Sequence, residues 1–281
     1  SQASDAPQTG FPTLPAVTVR ASALVHVATR PWRPWALTRP RAVVLWAGAT
    51  SCRDMAFDAD RVSTVTFDSY STLVDVDAAE NALAARVDDP EPVSRLWRAR
   101  SLEYTFVANQ TDAYQPFYEM NRDALQYALD AHGVDISEKE RDEILAVYHE
   151  LDVFDDVRDG VERLREAGYD CYVVSNGNPE MLASMVDHAD IGDLIEDTIS
   201  ADEVRQFKPA AEIYRHAGAR TGTPIDEIAH VTAGWFDVMG AQHAGMQGVR
   251  VDRKGAPWEP FDGEPDLTVE TFYELAERLG V

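Results

Sequence analysis

Short apolar runs alternate with amphipathic segments along most of the chain. The β-branched, apolar run Val62–Phe67 is typical of a strand buried on both faces. Similar runs predict further strands at Cys171–Val174, Glu227–Thr232 and Val249–Asp252. Helical spacing predicts helices at Val157–Ala167, Pro179–His188, Asp237–Gly245 and Phe272–Leu279. This alternation indicates an α/β fold with a doubly wound parallel sheet.

The stretch 77–152 has a different pattern. Helical spacing recurs at Ser94–Val107, Pro116–His132 and Ser137–Leu151, and no clear strand separates them. The simplest interpretation is a helical insert after the first strand. We therefore predict one core domain formed by residues 55–76 and 153–281, with residues 77–152 as the helical insert.

The first 54 residues differ in composition from the rest. They contain six Arg, no Lys and only two Asp, they are rich in Pro and Ala, and they have no sustained hydrophobic period. We interpret residues 1–54 as a disordered extension, or as upstream sequence that is not part of the native protein. A targeting peptide is the alternative, but the apolar stretch Ala42–Ala49 lies too far along the chain for an ordinary secretory signal.

Composition restricts the possible partners. Lys+Arg total 25 and Asp+Glu 49, which gives a net charge of −24 and argues against a surface that neutralises nucleic-acid phosphates. No run approaches the roughly 18 apolar residues of a membrane span, so we expect a cytoplasmic protein without membrane contact. Abundant Asp and only three Lys favour an origin in a salt-accumulating organism. An ordinary acidic protein is the alternative.

Polar residues follow the predicted strands. Asp68 ends the first strand, and Ser175 and Asn176 end the second. Thr232 and Asp237 follow a later strand, and Lys208 lies in the loop sequence QFKPAAEIY. Each residue alone could be a cap or a turn residue. Together they should meet, because ligands of open α/β sheets bind at the carboxyl ends of the strands.

Five segments resemble the motifs of the haloacid dehalogenase superfamily, and within it those of the L-2-haloacid dehalogenases. In order, the segments are FDSYSTLVDV, VSRLWRARSLEYTF, VVSNGNPEML, FKPAAEIY and HVTAGWFDVMGA. The resemblance covers about residues 62–270. It implies a Rossmann-like core with a helical cap inserted after the first strand. It also implies a small 2-haloacid as substrate, no cofactor or metal, and a possible homodimer.

The resemblance further implies a mechanism. Asp68 would attack C2 of the haloacid, displace the halide and form an ester with inversion at C2. Lys208 would keep Asp68 ionised, and Asp237 would pair with Lys208 and help to position the hydrolytic water. Thr72 would orient Asp68 through a hydrogen bond. Tyr214 would support the Lys208 region.

Other positions would bind the substrate. Arg98 and Asn176 would receive the halide, although Arg98 could equally be a solvated helix residue. Ser175, with backbone amides near Tyr70 and Ser71, would hold the substrate carboxylate. Thr232 would keep a hydroxyl where the family usually has Ser. The apolar pocket would consist of Tyr70, Leu102, Phe117 and Phe236, some of which could instead be core residues.

Tyr70 distinguishes the possible activities. Phosphatases of the superfamily usually carry a second Asp at this position and bind Mg²⁺, which here would require Asp68 and Asp237. A Mg²⁺-dependent phosphatase is therefore the first alternative to a dehalogenase. A catalytically weak binding protein is the second, because Ser71 replaces a usual Gly and Gly234 replaces a usual Asn. That Asn would help to orient Asp68, Asp237 or the water.

Overall fold

The computed structural model describes residues 57–281, so the predictions for residues 1–54 fall outside the described part. One parallel sheet forms the centre of this part. Its six strands lie in the order β3-β2-β1-β4-β5-β6. They are β1 Thr64–Phe67, β2 Asp170–Ser175, β3 Asp197–Ser200, β4 Ile228–Thr232, β5 Gln247–Val251 and β6 Leu267–Val269. The predicted doubly wound α/β fold is confirmed.

Nine α-helices accompany the described sheet. They are α1 Asp77–Ala84, α2 Pro90–Thr111, α3 Phe117–Ala131, α4 Glu138–Leu145, α5 Val157–Glu166, α6 Pro179–His188, α7 Ala211–Thr221, α8 Trp235–Ala244 and α9 Phe272–Arg278. Helices α1 to α4 all fall between β1 and β2, in the stretch where the sequence predicts a helical insert. None of the helices within residues 57–281 is long and apolar enough to cross a membrane.

Most predicted elements occur, and their ends follow local chemistry. Helix α6 has its predicted bounds. Helix α2 begins earlier than predicted, because Pro90 takes the first helical position, and it ends where Asp112 adopts a left-handed φ of 54°. The predicted helix Ser137–Leu151 is shorter. Ser137 caps it at its start, and after Leu145 the chain tightens into a 3₁₀ turn.

Helix α1 is not predicted, and three further elements carry too little pattern for the sequence to indicate them. Strand β3 has four residues, of which only the last two are buried, and β6 has three residues that alternate between buried and exposed. Helix α7 contains a glycine and two arginines among its eleven residues. Such short or polar segments obtain their stability from packing rather than from intrinsic propensity.

The centre of the sheet positions the candidate site. Strands β1 and β4 are buried along their whole length. The parallel register pairs Phe67 with Val173 of β2 on one side and with Val231 of β4 on the other. The residues that follow these three positions therefore emerge together at the carboxyl edge of the sheet.

The helical stretch has its own buried anchor. Trp97 of α2 is fully buried, and its Nε1–H donates to the carbonyl of Asn121 in α3 at 2.8 Å. Its ring meets the ring of Tyr148 edge to face at 5.5 Å. Tyr148 in turn contacts Tyr70 at 5.5 Å, which links this stretch to the loop after β1.

Candidate active site

A lysine shared by two carboxylates lies at the carboxyl edge of the sheet. Lys208 Nζ donates to Asp68 Oδ1 at 2.9 Å and to Asp237 Oδ2 at 2.8 Å. The side chains of Lys208 and Asp237 are each 2% exposed, whereas that of Asp68 is 17% exposed. Solvent and a small ligand can therefore reach Asp68, while the other two groups lie behind it.

Hydrogen bonds fix both the backbone and the side chain of Asp68, the first residue of the loop after β1. Its backbone N–H donates to the carbonyl of Val231 in β4 at 2.9 Å, which extends the sheet by one residue. Thr72 Oγ1 donates to Asp68 Oδ2 at 3.1 Å. The same hydroxyl accepts from the backbone N–H of Ala233 at 2.9 Å. The predicted contact between Thr72 and Asp68 is therefore present, and it also ties β1 to the loop after β4.

Burial and the shared ammonium act in opposite directions on the two carboxyl groups. Burial raises the pKa of Asp68, and Lys208 opposes this effect only in part. Burial also works against the ionised form of Asp237, but Lys208 and His230 outweigh it and lower the pKa of Asp237. The pKa of Lys208 is raised, since Asp237 and Asp68 outweigh its own burial. Asp237 is therefore the permanent counter-ion of Lys208.

The side chain of Asp237 is hydrogen-bonded by three side chains, those of Lys208, Tyr214 and His230. Tyr214 of α7 donates to its Oδ1 at 2.6 Å, so the predicted support of the Lys208 region by Tyr214 acts through Asp237. His230 of β4 lies 3.1 Å from Oδ2, the oxygen that also holds Lys208. His230 was not among the predicted site residues. The sequence feature that could have identified it is a single histidine within a buried, mostly apolar strand, seven residues before Asp237.

Ser175 and Asn176 at the end of β2 are both engaged within the protein. The Ser175 hydroxyl is fully buried, shares a hydrogen bond of 2.6 Å with Ser69 Oγ and accepts from Gly177 N at 3.0 Å. Asn176 Oδ1 accepts from the backbone N–H of Lys208 at 2.8 Å and so fixes the lysine loop. A substrate carboxylate would have to compete with these contacts of Ser175.

The turn after Asp68 has a strained residue. Ser71 adopts a φ of 65°, in the left-handed region that favours glycine. Its backbone N–H donates to Val74 O at 2.8 Å. The replacement of the usual glycine by Ser71 therefore keeps the turn but costs conformational energy.

Aromatic rings cluster at the loops that carry Asp68 and Asp237. Tyr70 stacks near Phe117 at a centroid distance of 6.3 Å, and its buried hydroxyl has no hydrogen-bond partner among the described residues. Burial raises the pKa of Tyr70 well above its ordinary value. Phe236 contacts Phe106 of α2 edge to face at 5.6 Å. Phe117 is buried, whereas Leu102 and Phe236 are half-buried on the facing elements.

Two predicted site residues make contacts other than those expected. The guanidinium of Arg98 donates to Asp77 Oδ1 at 3.2 Å and lies 3.7 Å from Glu80 Oε2, so no hydrogen bond joins it to Asn176 within residues 57–281. Arg98 nevertheless acts electrostatically on Tyr148, whose pKa burial raises to about 12. Thr232 Oγ1 is buried and accepts from Gly234 N at 3.0 Å. The functional roles of Arg98 and Thr232 stay predictions.

The described side chains offer no grouped metal ligands. Among residues 57–281, no three His, Cys, Asp or Glu side chains are placed so that they could hold one ion. Tyr70 occupies the position at which a metal-dependent phosphatase would carry its second Asp. The site therefore presents a partly accessible carboxylate, a buried ammonium and an aromatic wall.

Comparison with known proteins places this arrangement in a family. Residues 62–245 match the family model of a haloacid dehalogenase-like hydrolase. The chain is 32% identical to (S)-2-haloacid dehalogenase 4A of Burkholderia cepacia over 71% of this chain and 87% of that protein. It is 31% identical to (S)-2-haloacid dehalogenase 1 of Pseudomonas sp. (strain CBS-3), over 78% and 97% respectively.

A solved structure shows a similar fold with a reacted ligand. The L-2-haloacid dehalogenase of Xanthobacter autotrophicus with chloropropionic acid covalently bound superposes with a TM-score of 0.73 at 27% identity. The match covers 78% of this chain and 98% of that one.

Proposed function

The chain belongs to the haloacid dehalogenase-like hydrolases, and from this membership we propose that it hydrolyses small L-2-haloalkanoic acids to 2-hydroxy acids. Asp68 is the nucleophile of the proposed reaction. The observation that carries the proposal is the accessible Asp68 carboxylate, which Lys208 and Thr72 hold in place beside Tyr70. The covalent chloropropionate adduct of the similar Xanthobacter enzyme supports an ester intermediate.

The first step forms a carbon–oxygen bond and breaks a carbon–halogen bond. An oxygen of Asp68 attacks C2 from the side opposite the halogen, and the halide leaves with the bonding electron pair. Because a halide ion needs no proton to depart, a tyrosine suffices at position 70. The aromatic side chains of Tyr70, Phe117 and Phe236 exclude water from the attacking carboxylate. Because Asp68 is then less solvated, it is a better nucleophile.

The second step returns the enzyme to its starting state. Water attacks the ester carbonyl carbon of Asp68, the 2-hydroxy acid leaves with inverted C2, and one proton is released. Lys208 stabilises negative charge as it develops on the carboxyl oxygen 2.9 Å away. Asp237 keeps the ammonium of Lys208 in place and helps to position the attacking water, whose proton is released to solvent.

Binding of the substrate combines several proposed roles. Arg98 and Asn176 receive the halide, and Ser175 with the amides near Tyr70 holds the carboxylate of the substrate. For Arg98 this requires partial release from Asp77, to which it now donates at 3.2 Å. An exposed ion pair of this kind stabilises the fold by about 0–1 kcal/mol, so an anionic substrate can displace it at small cost.

The finer properties follow from composition and from the fold. We propose that the enzyme acts in the cytoplasm of a salt-accumulating organism without a cofactor or metal, and that it forms a homodimer. We also propose that residues 55–76 with 153–281 form the core domain and residues 77–152 the cap. The net charge of −24 supports an origin in a salt-accumulating organism. The position of helices α1 to α4 between β1 and β2 supports the assignment of the cap.

The test is halide release from L- and D-2-chloropropionate, measured without added metal in potassium glutamate to avoid a chloride background. We expect release from the L isomer only, and we expect its loss in Asp68→Asn. A Mg²⁺-dependent aryl-phosphate assay runs beside it. Phosphate release without halide release would overturn the proposal in favour of a phosphatase. No turnover of either substrate by the folded protein would favour a binding role.

A further inference from the structure

His230 lies at the rear of the active site, in the middle of the sheet. Its side chain is fully buried between Thr66 of the neighbouring strand β1 and Asp237 of α8. Nδ1 lies 2.8 Å from Thr66 Oγ1, and Nε2 lies 3.1 Å from Asp237 Oδ2. Both ring nitrogens therefore have a polar partner, and one of these partners is the counter-ion of Lys208.

The chemistry of the partners fixes the hydrogen positions. An ionised carboxylate can only accept, so Nε2 carries the hydrogen that it donates to Asp237. For a neutral ring, Nδ1 is then an acceptor, and the Thr66 hydroxyl donates to it. Thr66 thus selects the imidazole tautomer that can hold Asp237.

Three donors from three elements restrict the rotation of the Asp237 carboxylate. His230 on β4 and Lys208 in the loop before α7 share Oδ2, and Tyr214 on α7 takes Oδ1. Tyr214 also packs edge to face on the imidazole, with a centroid distance of 5.6 Å. A rotation of the carboxylate would break at least one of these bonds inside a site from which water is excluded.

We infer that His230 is a positioning residue of the proposed reaction: its Nε2–H holds the Asp237 carboxylate in the orientation from which Lys208 bridges to Asp68. The inference rests on the proposed function, since Asp68 is the nucleophile that Lys208 serves. His230 itself touches neither substrate nor water, because it is fully enclosed behind Asp237.

Two substitutions distinguish a positioning role of the His230 side chain from a role in filling space only. His230→Phe keeps a planar ring of similar volume and the edge contact with Tyr214, but it removes the donor. His230→Gln keeps an amide N–H at about the distance of Nε2. We expect kcat to fall about ten- to a hundred-fold in His230→Phe with KM changed by less than about threefold, and we expect His230→Gln to restore most of kcat.

The pH profile provides a readout that a filling role would not change. The titratable groups that face this cluster are Asp237, Lys208, Asp68 and Tyr214. The hydrogen bond from His230 lowers the pKa of Asp237, so loss of the donor raises that pKa. Lys208 opposes the raised pKa of Asp68 from the position that Asp237 gives it, so loss of this positioning should raise the pKa of Asp68 further. The acid limb of the kcat/KM profile should therefore move to higher pH in His230→Phe and return in His230→Gln.

Further variants keep the test decisive if His230→Phe folds poorly. Thr66→Val removes the hydroxyl that selects the tautomer, and it should lower kcat about threefold with a smaller shift of the acid limb in the same direction. His149→Phe is the matched control, since His149 lies far along the chain in the 3₁₀ turn after α4 and bonds Ser184 at 2.7 Å. It should change neither kcat nor the acid limb.

A measurement without turnover separates this inference from the proposed function. The carboxyl ¹³C titration of Asp237, read by NMR, should show a higher midpoint in His230→Phe than in the wild type. If the wild type releases no halide but this shift occurs, the proposed function fails and the link between His230 and Asp237 stands. Wild-type kcat and an unmoved Asp237 titration in folded His230→Phe would overturn the inference.

Discussion

The side-chain amide of Asn109 is paired in both directions with the backbone of Phe207. Asn109 Nδ2 donates to Phe207 O at 2.7 Å, and Phe207 N donates to Asn109 Oδ1 at 2.9 Å. Asn109 belongs to α2, in the helical stretch after β1, and Phe207 immediately precedes Lys208. Tyr114 stacks on Phe207 at 5.1 Å and strengthens the same contact. The helical stretch therefore helps to set the backbone that carries the active-site lysine.

This pairing predicts a defect of catalysis as well as of stability. Asn109→Ala leaves the backbone N–H of Phe207 without its partner, although the carbonyl keeps its bond from Ala210 N at 3.0 Å. The loss should cost about 1–3 kcal/mol of unfolding free energy. Because Lys208 is the next residue, kcat should fall about tenfold with little change in KM. Gln126→Ala is the control, since Gln126 is an amide on α3 remote from this loop. Wild-type kcat in Asn109→Ala would contradict the prediction.

The two carboxylates that share Lys208 should respond differently to removal of their charge. Asp237 has a lowered pKa, so it contributes stability that is present above the ordinary carboxyl pKa of about 3.9 and is lost as the pH falls further. Asp237→Asn should cost about 3–5 kcal/mol at pH 7. Asp68→Asn should cost less than about 1 kcal/mol, because burial raises the pKa of Asp68 and its charge is already unfavourable in the fold.

Urea unfolding of both variants at pH 7 measures this asymmetry, with circular dichroism to show that each is folded. Equal losses of stability would mean that Lys208 depends on the two carboxylates alike. Halide assays on the same samples should show no turnover by Asp68→Asn.

The acid limb of the rate profile should report the ionisation of Asp68. Asp68 must be ionised to act as the proposed nucleophile, and burial raises its pKa above the ordinary value of 3.8. kcat/KM should therefore begin to fall with decreasing pH above this ordinary value, about tenfold per pH unit. Lys208→Met removes the cation that opposes the rise in the pKa of Asp68. The residual activity of this variant should therefore show the acid limb of kcat/KM at a still higher pH. Lys254→Met, which removes an exposed cation paired with Asp77, should leave the limb in place.

The strain at Ser71 predicts a stabilising substitution. Ser71 holds a φ of 65°, which glycine adopts without penalty, so Ser71→Gly should raise the unfolding free energy by about 1 kcal/mol. Asp112→Gly is the matched control, because Asp112 has a φ of 54° at the end of α2. Both variants should melt higher, but only Ser71→Gly should change KM, since only that turn borders Asp68. A lower melting temperature for Ser71→Gly would refute the strain argument.

The sequence could indicate the α/β order and the approach of Asp68 to Asp237 because each rests on a local signal. The pairing of both with Lys208 is implied only by the family resemblance, because the strand before Lys208 is not predicted. Buried parallel strands appear as apolar runs, and the residues after them meet at one edge. The partners of Arg98 could not be predicted in this way. Asp77 and Glu80 lie on α1, whose approach to α2 depends on packing between helices rather than on any periodicity.

His230 illustrates the same limit inside the site. Its strand is recognisable, but the direction of a side chain in a strand buried on both faces has no polar alternation to reveal it. Only the register of β4 against β1 and the start of α8 bring the imidazole to Thr66 and Asp237. Likewise, the pairing of Asn109 with Phe207 joins residues 98 positions apart, and no local pattern links the two.

Gly234 offers a direct test of the hydrolytic step. It precedes α8 with a φ of −81°, which any residue can adopt, and it replaces the Asn usual in the family. A Cβ added there would lie 3.3 Å from the ring of Phe236 and 3.5 Å from both Asp237 Cβ and Thr232 Oγ1. The space therefore admits a side chain once the Phe236 ring moves by a few tenths of an ångström.

Gly234→Asn places an amide beside Asp237 and Thr232, where it can orient the water that attacks the ester. We expect the hydrolysis rate to rise about two- to tenfold in single-turnover measurements, while the rate of halide release in the first turnover stays the same. Asn is also a strong N-cap, so α8 should not be destabilised. Gly234→Ala is the matched control, since it fills the same space without an amide and should leave the hydrolysis rate unchanged. An equal acceleration by Ala would assign the effect to packing against Phe236 rather than to the amide.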